Sequence, residues 1–283
     1  MSPLITAAEL RAASGVVVLD ATWNLVGPPG REAYDAGHVP GAYFVDLDTE
    51  LAGPPGEGGR HPLPDASVVE ALLRRTGIDA DSKVVVYDAA NSMAAARARF
   101  VLRYFGVEDV RVLDGGFAAW QAAGGEVSTT VPADAEVSAA KPAVGGEPAF
   151  TPTPGHVQVL DAEGAAEVAA SGVLLDARAP ERFAGEVEPM DKVAGHIPGA
   201  VNAPTTGNVA ADGRFLPAGE LRERFAALGA DGSQPVGAYC GSGVTAAHEA
   251  LALEIAGVDA PVYVGSWSEW ITDPDRPIAT GRD

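Results

Sequence analysis

The chain carries the same series of short motifs in its two halves, and this repeat limits the possible folds more than any other feature. Each series consists of an apolar run ending in Asp-Ala, a Gly-His-x-Pro-Gly-Ala motif, a second apolar run that reaches a tyrosine, and a glycine-containing motif that ends in tryptophan. The copies lie at residues 17–21, 37–42, 84–88 and 113–120, and again at 173–177, 195–200, 236–240 and 264–270. Motifs repeated in one order indicate a duplicated domain, and 283 residues are enough for two domains.

Within each half, short runs of Val, Leu and Ile alternate with segments that have helical spacing. Because apolar runs without alternating polar residues suit strands buried on both faces, the pattern predicts an α/β fold with a parallel sheet in each half. Helices are predicted at 67–76, 93–104, 117–123, 161–171, 218–228 and 244–256.

A proline-rich segment separates the two halves. Residues 128–154 contain five prolines, many alanines and no clear period, which is typical of an interdomain linker. The predicted domains are therefore 1–127 and 155–283, with 128–154 as the linker between them.

Charge and composition exclude several classes of function. The formal net charge is −20, and acidic residues exceed basic ones in both halves, which disfavours nucleic acid and anionic membrane surfaces as partners. The N-terminal residues lack the basic region and long apolar stretch of a signal peptide, and no apolar run is long enough to cross a bilayer. A single cysteine excludes an internal disulfide and fits a reducing compartment, so we expect a cytoplasmic protein.

Cys240, the only cysteine, lies in the sequence Tyr-Cys-Gly-Ser-Gly-Val-Thr-Ala. The apolar residues before it predict a buried strand, and Val244 begins a segment with helical spacing. Gly241 and Gly243 allow the backbone to curl around the sulfur, so that N–H groups at the helix N-terminus, including those of Val244 and Thr245, point at it. Such a loop stabilises a thiolate, or a second sulfur atom bound to it, and favours a reactive Cys240 over a buried structural thiol.

The first half has Asp88 at the position where the second half has Cys240. A carboxylate cannot act as a sulfur nucleophile, and the Ala-Ala-Asn that follows lacks the glycines of the second loop. We therefore expect the first domain to be non-catalytic, with Asp88 capping the next helix or contacting its own loop.

Three motifs of the second half carry a family resemblance. They are Cys-Gly-Ser-Gly-Val-Thr-Ala at 240–246, Gly-His-Ile-Pro-Gly-Ala at 195–200 and Gly-Ser-Trp-Ser-Glu-Trp at 265–270. Together they resemble the signatures of two-domain rhodanese-type sulfurtransferases, with the active-site loop of the 3-mercaptopyruvate type. The resemblance implies tandem rhodanese domains, each a five-stranded parallel sheet flanked by helices, with the active site between the domains. It also implies sulfur transfer from 3-mercaptopyruvate or thiosulfate to cyanide or a thiol through a Cys240 persulfide.

Arg182 lies in Pro-Glu-Arg-Phe, at the position where the resemblance places an arginine that binds the anionic end of the substrate. A guanidinium matches a carboxylate or a sulfonate-like group, and the structural alternative is a surface salt bridge with Glu181 or Glu186. The mercaptopyruvate enzymes of the family carry a second arginine shortly afterwards, where this chain has Met190. Lys192, two residues further on, is the candidate to supply the replacement charge.

The family also has a Ser-His-Asp relay that polarises the substrate, and Ser242, His61 and Asp48 match it. Because His61 and Asp48 precede the predicted linker, the resemblance implies a site built from both domains. By contrast, His38 and His196 occur in both the non-catalytic and the catalytic copy, so we expect them to orient turns through side-chain hydrogen bonds.

The resemblance implies a small anionic sulfur donor, and an acceptor that is cyanide, thioredoxin or a low-molecular-weight thiol, without a metal or organic cofactor. No basic residue directly follows Cys240, so 3-mercaptopyruvate is expected as the donor in preference to the thiosulfate dianion. A cysteine phosphatase is disfavoured because it needs an arginine six residues after the cysteine, where this chain has Ala246. A non-enzymatic persulfide carrier that delivers sulfur to a partner protein is the alternative.

Overall fold

The computed structural model describes residues 2–135 and 150–282, which group into two compact units. Unit 1 comprises residues 2–53, 63–135, 150–157 and 212–214, and unit 2 comprises residues 54–62, 158–211 and 215–282. Residues 136–149 of the predicted linker lie outside the described residues.

Unit 1 is a parallel sheet flanked by helices. Its strands are β1 (Leu4–Ile5), β2 (Val16–Asp20), β3 (Tyr43–Phe44), β4 (Lys83–Tyr87) and β5 (Val110–Leu113). Its helices are α1 (Ala7–Ala12), α2 (Gly30–Ala36), α3 (Leu47–Glu50), α4 (Ala66–Thr76), α5 (Met93–Tyr104) and α6 (Gly116–Ala122). The five strands lie in the order β1-β5-β4-β2-β3, and every pair is parallel.

Unit 2 repeats this arrangement. Its strands are β6 (Val159–Leu160), β7 (Val173–Asp176), β8 (Val201–Asn202), β9 (Val236–Tyr239) and β10 (Val262–Tyr263). Its helices are α7 (Ala162–Ser171), α8 (Pro180–Phe183), α9 (Ala218–Ala227), α10 (Val244–Ala256) and α11 (Ser266–Trp270), with a 3-10 turn at Thr205–Asn208. The order β6-β10-β9-β7-β8 matches that of unit 1 strand for strand, and all pairs are again parallel. The predicted α/β fold with two five-stranded parallel sheets is confirmed.

The central strand of each sheet leads into the loop that distinguishes the two copies. Every residue of β7 and β9 is buried, because helices cover both faces of the sheet and Leu174, Tyr239 and Trp267 pack into one core. Ligands of open parallel sheets bind beyond the carboxyl ends of the strands. Cys240 directly follows β9, so the fold places it at such an end.

Helix α10 begins and ends at glycine. Gly243 before it and Gly257 after it both have left-handed backbone angles, with φ of 82° and 85°. The Gly257 N–H donates to the carbonyls of Leu253 and Glu254 and closes the last turn. Both bounds agree with the predicted helix 244–256, as do those of α5 with 93–104, whereas the other predicted helices differ by one residue at one or both ends.

The segment 54–62 belongs to unit 2, although it precedes the predicted linker by more than sixty residues. The Arg60 backbone N–H donates to Ser268 Oγ at 3.0 Å, and the Arg60 side chain forms an ion pair with Asp191. The predicted boundary of the first domain, 1–127, therefore differs from the compact unit at this segment, where Arg60 contacts Ser268 and Asp191 of unit 2.

The two repeated histidines orient equivalent turns, as expected. His38 Nδ1 lies 2.8 Å from the Tyr34 carbonyl and its ring stacks on that tyrosine, with 3.9 Å between ring centroids. His196 Nδ1 lies 2.8 Å from the Phe183 carbonyl and its ring stacks on that phenylalanine at 3.7 Å. Both side chains are buried in their own units.

Candidate active site

Cys240 is buried, with 1% of its surface exposed, in the loop between β9 and α10. The Gly243 N–H donates to its Sγ at 3.1 Å. This geometry depends on the positive φ of Gly243, which a residue with a Cβ rarely adopts. Val244 and Thr245 form the first turn of α10, where N–H groups have no acceptor within the helix. One N–H group of the loop, that of Gly243, therefore contacts the sulfur, and the part of the Val244 and Thr245 N–H groups stays a prediction.

Ser266 also contacts Cys240, and sequence reasoning did not identify it. Its Oγ accepts a hydrogen bond from the Cys240 N–H at 3.1 Å, donates to the Tyr263 carbonyl at 2.8 Å and lies 3.9 Å from Sγ. Ser266 is fully buried and has a φ of 54°, in the left-handed region. The equivalent residue of the first copy is Gly116, with a φ of 58°. The sequence signal that could have revealed Ser266 is its alignment with a glycine, Gly116, in the first copy.

Two guanidinium groups lie over the Cys240 loop. A methyl group added at Gly241 would lie 2.9 Å from Nη2 of Arg60 and 3.4 Å from both terminal nitrogens of Arg182. Arg182 pairs with Glu188 at 2.7 Å and with Asp191 at 3.2 Å, and Arg60 pairs with the other oxygen of Asp191. Arg182 thus lies beside the loop and pairs with Glu188 and Asp191, whereas the structural alternative named Glu181 or Glu186, and its binding of the substrate stays a prediction.

These arginines belong to a larger cluster of buried charges. Arg178 makes a bidentate contact with Asp176, the shortest distance being 2.6 Å, and lies 3.5 Å from Glu188. Burial raises the pKa of Asp191, an effect that Arg60 opposes and that the nearby Glu188 carboxylate reinforces. Carboxylates and guanidiniums are therefore packed together beside the sulfur in a partly water-excluded cluster.

Ser242 and His61 are in direct contact. His61 Nδ1 lies 2.8 Å from Ser242 Oγ, because segment 54–62 belongs to the same unit as the Cys240 loop. Asp48, the third residue of the expected relay, lies in α3 of unit 1, where both of its carboxylate oxygens are 3.1 Å from Trp23 Nε1. The serine–histidine pair is present, and the part played by Asp48 stays a prediction.

Lys192 is the candidate for the charge that Met190 does not supply, and whether it compensates stays a prediction. Met190 and Lys192 both have exposed side chains, in the segment whose neighbours Glu188 and Asp191 point towards the arginines. The charge that lies beside the loop in addition to Arg182 is that of Arg60, which comes from a distant part of the sequence.

The first copy holds a carboxylate where the second holds the thiol. Asp88 is buried, and its oxygens accept from four backbone N–H groups. The donors are Ala90 at 3.2 Å, Ser92 at 2.9 Å, Ala94 at 3.0 Å and Ala95 at 3.2 Å. The predicted loop and helix contact of Asp88 is confirmed, and its side chain fills the anion-binding turn of its own domain.

Over residues 2–135 and 150–282, no group of three or more His, Cys, Asp or Glu side chains is arranged to hold a metal ion. Over the same residues, no helix has the length and apolar character needed to cross a membrane.

Comparisons with known proteins cover nearly the whole chain. A Mycobacterium tuberculosis protein named as a thiosulfate sulfurtransferase, SseB, is 46% identical over 98% of this chain and 97% of its own length. A Pseudomonas aeruginosa protein named as a 3-mercaptopyruvate sulfurtransferase is 46% identical over 98% of both chains. The human 3-mercaptopyruvate sulfurtransferase is 35% identical over 96% of this chain and 91% of its own.

Solved structures give the same fold. The structure of EanB with a cysteine persulfide and ergothioneine superposes with a TM-score of 0.83 and 26% identity, over 99% of this chain and 71% of EanB. The model of the rhodanese-like domain matches residues 6–123 and again residues 158–273. The chain therefore belongs to the rhodanese-like family and contains two copies of its domain.

Proposed function

We propose that this protein is a sulfurtransferase that moves a sulfur atom from a small anionic donor to a nucleophilic acceptor through a persulfide on Cys240. The observation that carries the proposal is the Cys240 loop itself, in which a backbone N–H contacts Sγ and two guanidiniums lie within reach of the next residue. The names of the relatives, as thiosulfate or 3-mercaptopyruvate sulfurtransferases, support the same reaction class.

In the first half-reaction, the Cys240 thiolate attacks the sulfur of 3-mercaptopyruvate. A sulfur–sulfur bond forms, the carbon–sulfur bond breaks, and the electron pair of that bond leaves on the enolate of pyruvate. The proton of the donor thiol finally reaches the enolate carbon, so the products are pyruvate and the Cys240 persulfide. The N–H groups of Gly241, Gly243, Val244 and Thr245 are the donors that we assign to the outer sulfur.

Arg182 binds the donor carboxylate in this scheme, and Ser242 acts on the donor carbonyl. Ser242 Oγ is 2.8 Å from His61 Nδ1, so the imidazole can hold the hydroxyl proton or return it as charge develops on the enolate oxygen. Asp48 is the residue that we assign to orienting His61. The carbonyl of 3-mercaptopyruvate gives Ser242 a function that thiosulfate does not require, and this favours 3-mercaptopyruvate as the donor.

In the second half-reaction, an acceptor nucleophile attacks the outer sulfur and the Cys240 thiolate leaves. Cyanide then yields thiocyanate, and a thiol such as thioredoxin or a low-molecular-weight thiol becomes a persulfide. A reducing compartment such as the cytoplasm suits a cycle that returns a free thiolate at each turnover. The low exposure of Cys240, 1%, favours an enzyme that takes its sulfur from a small donor over a non-enzymatic carrier.

The test combines turnover and mass spectrometry. Cys240→Ser should abolish transfer from 3-mercaptopyruvate to cyanide, and the wild-type protein treated with donor alone should gain one sulfur atom that cyanide then removes. The ratio of kcat/KM for 3-mercaptopyruvate and thiosulfate, measured side by side, should favour 3-mercaptopyruvate. Near-wild-type turnover by Cys240→Ser would contradict the proposal, whereas a preference for thiosulfate would contradict the choice of donor alone.

A further inference from the structure

Helix α1 of the first copy is shorter than its counterpart in the second copy. It has six residues, Ala7–Ala12, whereas α7 has ten, Ala162–Ser171. Both helices begin after a capping side chain, that of Thr6 or Asp161, so the difference in length lies at their C-terminal ends. The last turn of α7 has no helical equivalent in unit 1, where the chain reaches β2 through the exposed residues 13–15.

The missing turn uncovers one face of the sheet in unit 1. In unit 2, a methyl group added at Gly199 would lie 2.7 Å from the Ala169 carbonyl of that turn, and Leu174, which belongs to the core that Ala169 packs against, is fully buried. At the matching positions of unit 1, a methyl group added at Gly41 would meet no described atom within 4 Å, and Val18 is only half-buried. The two copies therefore differ in how completely their helices cover equivalent strands.

The uncovered space is a cavity of about 440 Å³, which is within the range of small-molecule sites. Its apolar walls come from α1, β2, the Gly-His-x-Pro-Gly turn and α6, through Leu10, Val16, Val18, Val39 and Trp120. Trp120 Nε1 already donates to the Glu126 carbonyl at 2.7 Å, so the indole ring contributes apolar surface to the wall. All of the lining residues belong to unit 1, which makes this cavity distinct from the Cys240 loop.

Two opposite charges lie at the rim of the cavity. Arg11 and Glu126 both line it, and both are exposed. Nη1 of Arg11 donates to the Ala123 carbonyl at 3.0 Å, which holds the guanidinium beside the end of α6. Within the residues that the structure describes, Arg11 and Glu126 are not paired with each other. The rim therefore offers one cationic and one anionic contact to a ligand whose apolar part enters the cavity.

A zwitterion matches this rim better than a simple anion does. The carboxylate of Glu126 repels an anion that Arg11 attracts, and the net charge of −20 further disfavours anions. An α-amino acid carries a carboxylate and an ammonium on the same carbon atom, together with one side chain. If that side chain is apolar, burying it in the cavity contributes to binding in proportion to the area removed from water.

We propose that unit 1 binds a free α-amino acid with an apolar side chain, such as phenylalanine or leucine, in this cavity. The side chain lies against Val18 and Trp120, the carboxylate contacts Arg11 and the ammonium contacts Glu126. The non-catalytic copy thereby has a ligand site of its own. This inference does not depend on the proposed sulfurtransferase function.

Isothermal titration calorimetry of the full-length wild-type protein with L-phenylalanine tests the site. We expect a dissociation constant on the order of 1 mM for a ligand of this size. Binding of 3-phenylpropionate, which lacks the ammonium, and of 2-phenylethylamine, which lacks the carboxylate, should each be about two- to fivefold weaker, because one contact at the exposed rim is lost. Equal affinities for phenylalanine and 3-phenylpropionate would overturn the inference.

Substitutions at the rim and in the wall locate the ligand. Arg11→Met and Glu126→Gln should each weaken phenylalanine binding about two- to fivefold, and Val18→Phe, which fills the cavity, should abolish it. If Val18→Phe does not fold, the two rim variants decide. Arg74→Met is the matched control, because Arg74 is an exposed arginine of unit 1 that pairs with Glu70 and does not line the cavity. Wild-type affinity in both rim variants would contradict the proposed site.

Arg182→Ala separates this site from the Cys240 loop, where a guanidinium could also meet the carboxylate of an amino acid. We expect this variant to bind phenylalanine as the wild type does. Loss of binding in Arg182→Ala with unchanged binding in Arg11→Met would place the amino acid at the Cys240 loop and overturn the inference. Absence of binding to the wild type, by both calorimetry and the shift of thermal unfolding, would overturn it as well.

Discussion

Replacing Ser266 separates backbone strain from chemistry at the Cys240 loop. Ser266 has a φ of 54° and its Oγ accepts from the Cys240 N–H at 3.1 Å. Ser266→Ala and Ser266→Gly remove the same hydroxyl, and both leave the buried Cys240 N–H without this acceptor, which costs about 1–3 kcal/mol. Only alanine keeps a Cβ in the left-handed region, which costs about 1–2 kcal/mol.

The two variants should therefore differ in stability but not in activity. Glycine loses about 0.5–1 kcal/mol through its greater backbone entropy in the unfolded chain, so Ser266→Gly should be more stable than Ser266→Ala by about 1 kcal/mol. Both should lose about tenfold or more in kcat/KM, because the hydroxyl that holds the Cys240 backbone and lies 3.9 Å from Sγ is gone in each.

Urea unfolding measures the difference in stability between the two variants. Initial rates with 3-mercaptopyruvate and cyanide measure the loss of kcat/KM that both should show. Thr272→Ala serves as the control. Thr272 lies just after α11, the helix that begins at Ser266, and its exposed hydroxyl donates to the Glu269 carbonyl. Equal stabilities of the alanine and glycine variants would refute the assignment of strain to Ser266. Wild-type kcat/KM in Ser266→Gly would refute its part in positioning the sulfur.

Two further predictions concern charged residues of unit 2. Arg182→Ala should lower kcat/KM for 3-mercaptopyruvate about ten- to hundredfold through the loss of a charge-assisted contact, and an unchanged value from initial rates would exclude Arg182 from the donor site. Burial in α10 raises the pKa of Glu249 to about 8, although Asn208 and Arg224 oppose the shift. The folded state therefore keeps a proton that the unfolded chain releases, and this contribution to stability is lost as the pH rises from the ordinary glutamate range through about 8. Glu249→Gln should remove a slope of about 1 kcal/mol per pH unit from urea-unfolding free energies measured at several pH values in that window, and parallel slopes for the two proteins would count against it.

The sequence predicted the fold well because its apolar pattern is local and repeated. The bounds of α5 and α10 agree with the predicted helices, since glycine or a polar residue marks where the periodicity stops. The Cys240 loop was equally accessible, because a strand, two glycines and a helix follow one another directly along the chain.

Arg60 and Ser266 were not predicted, for different physical reasons. Arg60 reaches the site through contacts with Asp191 and Ser268, residues separated from it by 131 and 208 positions, and no local pattern records such contacts. Ser266 acts through a backbone angle that serine rarely adopts, which becomes visible only in the structure. Its alignment with Gly116 in the first copy was the available hint.

In the first domain, the acceptor in the loop is the side chain of Asp88, which is covalently attached and cannot leave. The loop that Cys240 occupies must accommodate a thiol, a thiolate and a persulfide in turn, whereas the loop of Asp88 holds one carboxylate on four N–H groups permanently. Restoring the sulfur loop would require Asp88→Cys together with Ala89→Gly and a glycine at Ser92, the left-handed residue before α5 that matches Gly243 before α10, and the first change alone would strip all four N–H groups of their acceptor. Losing the acceptor of four N–H groups at one position costs free energy, so Asp88 stabilises the fold of the first domain through the same loop geometry that the second domain uses to contact its sulfur.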